Sequence, residues 1–118
     1  MDKIAIHEFS IKWINKFQDP KRNLYDIFET MEFPDECWSL GFEMDGGKSF
    51  SEKYGSDSFR ELKLLQRVIC NVDDIQALGN FIFSKWRWFN HGDYVVYEPK
   101  DEEWFIIAFK RLIELTKE

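Results

Sequence analysis

The chain has 118 residues, 44% of them hydrophobic and 18% aromatic, with five Trp and twelve Phe; it is long enough for one domain with its own core and too aromatic for a disordered segment. A net charge of −6 opposes a general phosphate-binding role, which needs clustered Lys and Arg. Two cysteines, Cys37 and Cys70, exclude a disulfide framework and a closed cysteine-rich zinc site, and read as reduced, buried thiols of a cytoplasmic protein.

No apolar run approaches the roughly 18 residues of a spanning helix, and MDKIAIHEFS lacks the long apolar core of a signal peptide. Ile6, Phe9, Trp13 and Phe17 recur at helical spacing and predict an amphipathic helix from His7 to Gln18. The alternation at Ile4 and Ile6 leaves a short leading strand open. Asp19-Pro20 ends the helical pattern, and Asn23 is placed to cap a second helix presenting Leu24, Ile27, Phe28 and Met31. Phe33-Pro34-Asp35-Glu36 is a third start, with proline and acids in the first turn, closed at Leu40-Gly41. Gly46-Gly47 then forces a turn. Capping-box spacings at Ser49/Glu52, Ser58/Glu61 and Asp73/Gln76 mark three further helix starts, the second leading into Leu62, Leu65, Ile69 and Val72.

The segment Asp73–His91 is at once the most apolar and the most plainly helical. On a helical wheel Ile75, Leu78, Gly79, Ile82, Trp86 and Phe89 form one stripe and Ala77, Phe81, Ser84 and Trp88 a second, so the helix is expected to be buried on two sides. Gln76, Asn80, Arg87 and His91 fall on one narrow ridge, and Lys85 stands alone on the far side. Tyr94–Tyr97 reads as a short strand whose partner would be Phe42–Met44 or the N-terminus. A last helix follows Asp101, Glu102 and Glu103, burying Trp104, Phe105, Ala108, Phe109 and Leu112. The expected fold is mainly α: a single domain over residues 1–118, about five or six helices around the helix at 73–91, with at most one small two-stranded β element.

Lys85-Trp86-Arg87-Trp88 interleaves cations with aromatics as single-strand binders do. Trp86 and Trp88 point about 160° apart on a helix, so they cannot form one stacking platform; they read as tryptophans in two core layers, and direct nucleic-acid binding is not expected. Metal ligation lacks any HxxxH or CxxC spacing, and no cofactor is implied. Gly46-Gly47-Lys48-Ser49 has the end of a phosphate-binding loop, but Phe42 stands where its first glycine belongs. No catalytic residue is assigned. The candidate binding set is Glu43, Asp45, Arg87, Asn90, His91 and Asp93, which could line a polar cleft at the ridge; there Arg87 is expected to be paired, partly covered, with Glu43, Asp45 or Asp93, and His91 either caps the helix or titrates as a base.

The blocks LGFEMDGG, FSKWRWFNHGDY and WFIIAFKRL resemble those of small hypothetical proteins of anaerobic bacteria and their mobile elements. The resemblance spans most of the chain and implies a bacterial or phage-associated cytoplasmic origin; it carries no catalytic residue across. Gly92 departs from the aromatic residue that often follows the histidine in those sequences. Two functions are expected. One is a non-enzymatic protein-interaction module, inhibiting a basic nucleic-acid-handling protein in an anti-CRISPR-like or toxin-immunity role. The alternative is a small-molecule-binding or weakly catalytic domain using the seam around Arg87 and His91.

Overall fold

An aspartate starts the first helix. The Asp2 carboxylate accepts the Ala5 amide at 3.0 Å, and α1 runs Lys3–Gln18. The computed structural model describes residues 2–21, 27, 30–55, 57–58, 60–89 and 101–117. Within them follow α2 (Glu32–Ser39), α3 (Lys48–Tyr54), α4 (Leu62–Val68) continuing into a 3-10 turn at Ile69–Asn71, α5 (Ile75–Phe89) and α6 (Glu102–Leu115). All regular structure among the described residues is helical, and the mainly α single domain expected from periodicity is what the chain adopts. The leading strand is not formed: Ile4 and Ile6 both lie in α1, Ile6 in the core and Ile4 in solvent. The helix placed behind Asn23 falls almost wholly outside the described residues, and the Tyr94–Tyr97 strand wholly so.

The helix starts are close to their expected places, but other residues cap them. Asp74, not Asp73, accepts the Ala77 amide at 3.1 Å at the head of α5, while Asp73 is taken by the Tyr54 hydroxyl at 2.9 Å. Ser58 donates to the Gly55 carbonyl at 2.8 Å and α4 begins only at Leu62. Gly47, left-handed at φ 77°, precedes α3, and the Ser49 hydroxyl donates to Asp45 at 2.6 Å instead of capping. At α3 and α5 the spacing found the turn and a neighbouring aspartate accepts an amide there, whereas α4 starts without a side-chain cap.

The most extensive helix pair is α1 with α6. They run antiparallel: Phe17 near one end stacks on Phe105 at 4.8 Å between centroids, and His7 near the other bonds Thr116 at 2.9 Å. Phe33 of α2 inserts between them, 5.7 Å from Phe9, 5.1 Å edge-on to Trp13 and 6.1 Å from Trp86. Such aromatic pairs add about 0.5–1.5 kcal/mol each beyond their buried area. Two ties flank this core: the Trp13 indole donates to Glu36 at 2.8 Å, and Arg111 Nε donates to the Val72 carbonyl at 2.8 Å.

α5 packs against α2, α3 and α6, and every residue from Ala77 to Trp86 is buried. That goes beyond burial on two sides. It ends abruptly, however: Trp86 is in the core, but Trp88 is 54% exposed and is not the second core layer it was expected to be. The cysteines also divide. Cys37 is buried, where desolvation first and the neighbouring Glu36 charge second push its thiol pKa well up, whereas Cys70 is exposed, on a 3-10 turn that offers no core position. No helix among the described residues is long and apolar enough to cross a membrane.

Candidate functional site

The polar ridge of α5 exists, and a loop covers it. Phe42 leaves α2 and lays its ring on Gly79, where a Cβ would overlap the ring atoms. That close approach lets the loop backbone reach the row Gln76, Asn80 and Ser84, which recurs every fourth residue on one side of the helix. Gln76 Nε2 donates to the Gly41 carbonyl at 2.8 Å and to Asn80 Oδ1 at 2.9 Å. Asn80 Oδ1 also accepts the Glu43 amide at 2.8 Å, and its Nδ2 donates to Ser49 Oγ at 3.3 Å. Ser84 Oγ accepts the Asp45 amide at 3.1 Å and donates back to Asp45 Oδ1 at 3.2 Å.

Asp45 is the centre of this network, not a member of an open cleft. Its carboxylate accepts the amides of Gly47 (2.9 Å) and Ser49 (3.1 Å) as well as the two hydroxyls. Partial burial alone would favour the neutral acid; the donors from Ser49, Gly47 and Ser84 outweigh it and hold the Asp45 carboxyl below its ordinary range. These groups are spent on one another. Among the described residues these bonds anchor the loop to α5.

Of the candidate set, the structure therefore brings Asp45 and the Glu43 backbone to the ridge. Arg87 is not there: it is exposed, and the expected pair with Glu43 or Asp45 does not form. The reason is axial. Arg87 points in nearly the same direction as Gln76 and Asn80, but it stands a turn beyond the last residue the loop reaches. Asn90, His91 and Asp93 lie outside the described residues.

The buried cation of α5 is Lys85, which sequence reasoning set aside. It is 1% exposed. Its Nζ sits 3.5 Å from the centroid of the Trp104 ring, 4.1 Å from Trp88 and 5.4 Å from Phe89, so one ammonium is enclosed by three aromatic rings from α5 and α6. Desolvation lowers its pKa to about 7, against a smaller raising effect of the Asp101 charge at the head of α6. The same three rings, with Arg60, Leu62 and Asp101, wall an adjoining cleft of about 300 Å³. A signal for this was present. Phe81 and Phe89 lie four residues either side of Lys85, and Leu78 seven before it, so the far side of the wheel was an apolar face with a lysine in its middle.

The arrangement holds a cation among rings, with an apolar cleft on the other side of those rings. Among the described residues, no group of three His, Cys, Asp or Glu could hold a metal ion. Compared with protein-family models, curated proteins and solved structures, the chain matches none.

Proposed function

We propose that the protein is a non-enzymatic interaction module that inhibits a larger, basic, nucleic-acid-handling protein in the cytoplasm of a bacterium or of a phage-infected cell, in the manner of anti-CRISPR or toxin-immunity proteins. The observation that supports this reading is the outer face of α2. Met31, Asp35 and Trp38 follow one another at helical spacing there, Met31 58% and Trp38 52% exposed. The inner acids of the same helix are engaged: Glu32 and Glu36 accept Lys12 at 2.6 and 2.8 Å. Asp35 and Trp38 are left outward.

An exposed tryptophan beside a carboxylate is the chemistry of an interface anchor, its ring filling an apolar pocket while the acid meets a basic rim. The Trp38 ring is held by an edge contact to Phe83 at 5.3 Å, so it meets a partner in a set orientation with little entropy left to lose. The net charge of −6 speeds encounter with a positive groove. A tagged chain, used as bait in lysate of the organism that encodes it, is expected to retain a basic protein, to release it as salt is raised, and to lose it on Trp38→Ala or Asp35→Lys. Retention of nothing at low salt, or equal retention by both variants, would overturn the reading.

A further inference from the structure

The groove between α1 and α2 is a surface that the outer face of α2 does not account for. We propose that it seats one arginine side chain of the basic protein partner, with the guanidinium held by Glu8 and the stem lying on Phe9 and Leu40. The protein source of that arginine rests on the interaction reading of α2; the chemistry of the groove does not.

The groove, of about 300 Å³, has Phe9 and Leu40 as its large apolar members and Glu8, Lys12, Glu36 and Ser39 as its polar ones. Ligand clefts begin at about that size, so it has room for one long side chain and not for a larger body. Three of the four polar groups are already engaged. Lys12 Nζ donates to Glu32 at 2.6 Å and to Glu36 at 2.8 Å, and the second Glu36 oxygen accepts the Trp13 indole at 2.8 Å. The Ser39 hydroxyl donates to the Asp35 carbonyl at 2.9 Å, which leaves it only lone pairs to offer. Glu8 is exposed and makes no hydrogen bond or ion pair among the described residues.

What is left for a ligand is a carboxylate and a hydroxyl oxygen, both acceptors, beside an apolar base. An arginine matches that: its head carries five N–H donors and no acceptor, and its stem is apolar enough to lie on Phe9 and Leu40 while the head forks to Glu8. Charge agrees, since the groove sets the two carboxylates of Glu8 and Glu36 against the one ammonium of Lys12. The cleft on the other flank of α1, which Glu8 also lines, balances it with Lys117 and lacks that excess. Ile4 and Ile11, 62% and 40% exposed, stand a helical turn either side of Glu8 and form an apolar rim of the kind that keeps water from a charge pair at an interface. Ser39 follows Trp38 on α2, so one partner surface reaches both the indole and the groove.

The test uses acetyl-arginine amide and acetyl-citrulline amide, which share a shape and differ in charge. Each is titrated at low salt into isotope-labelled protein while the backbone amides are followed by NMR. Acetyl-arginine amide is expected to shift the amides of Ala5, Glu8, Ser39 and Leu40, acetyl-citrulline amide to bind about fivefold more weakly, and Glu8→Gln to remove that difference. Equal binding of the two probes to the parent, or shifts as large at the exposed Glu52 and Glu103 as at Glu8, overturns the site. Circular dichroism of each variant establishes that it is folded before binding is compared. In the lysate experiment Glu8→Lys is expected to lose the retained basic protein, as Trp38→Ala does. Retention that survives Glu8→Lys but not Trp38→Ala overturns the groove and spares the interaction module. A groove that takes arginine in a chain that retains no protein overturns the module and, with it, the protein source of the arginine.

Discussion

Two sides of α5 carry polar side chains into the interior, and they are satisfied in opposite ways. On one, Gln76, Asn80 and Ser84 meet a loop whose amides, carbonyl and carboxylate answer them bond for bond. On the other, Lys85 is set against the faces of Trp88, Phe89 and Trp104, with the Asp101 charge acting on it. Short dipoles can be matched within a protein at little net cost, and the matched network then locks one conformation. A full charge among rings keeps a desolvation penalty that cation–π attraction only partly offsets. The first side is therefore built for rigidity. The second retains a chemical potential to change state.

The largest expected effect that separates the two sides is in the pH dependence of Lys85. Its folded pKa of about 7 lies below that of an unfolded lysine. Between those values the unfolded chain binds the extra proton, so stability rises with pH from about 7 toward 10 and the penalty is at its full value below 7. Lys85→Met has no such proton. Chemical denaturation at pH 7 and pH 10 is expected to show the parent gaining on the variant by on the order of 3 kcal/mol; parallel curves would mean that the ammonium is solvated.

On the loop side, Gly79→Ala is expected to cost about 2 kcal/mol, because the new methyl meets the Phe42 ring and the loop must lift. Hydrogen exchange should then rise at the Glu43 and Asp45 amides, and an unchanged pattern there would show that the ring moves alone. Asp45→Asn keeps the shape but not the charge, with an expected loss of about 1 kcal/mol at neutral pH. Because the folded carboxyl is held below its ordinary range, that stability is present above the unfolded pKa and is lost as pH falls through the folded one. The gap between parent and Asp45→Asn should accordingly close in acid, as followed by thermal melts. Smallest is Arg87→Ala, expected within about 0.5 kcal/mol of the parent because the side chain is exposed; a loss of several kcal/mol would restore the buried pair that sequence reasoning expected.

Arg87 and Lys85 also mark how far the residues could be read without coordinates. A wheel gives the direction of a side chain but not its height, and Arg87 shares the direction of Asn80 while lying beyond the loop that covers it. Lys85 was visible as a lysine inside an apolar face, but that Trp104 would turn toward it depends on α6, seventeen or more positions along the chain. α6 itself was legible at its start and along its buried stripe, since its acids and its apolar spacing are local signals. The turns before α3, α4 and α5 were legible as places and not as bonds. Asp45, Asp74 and the Tyr54 hydroxyl accept amides at the α3 and α5 starts in place of the expected caps, and only tertiary geometry decides that. The seam was legible at Gln76, Asn80 and Asp45 and was expected to be partly covered, yet what covers it was not legible, because nothing in a sequence says that Phe42 will land on Gly79.

The pairing of α1 with α6 imposes an order on assembly. On the ribosome, Phe9 and Phe17 are made well before the Phe105 and Phe109 rings they pack against. Until then an aromatic stripe stands open to water and to other nascent chains. Contacts so distant in sequence are slow to form, because the whole intervening segment must be closed into a loop first. Until α6 is in place the α1 stripe lacks its cover, and transiently exposed apolar surface of that kind favours aggregation.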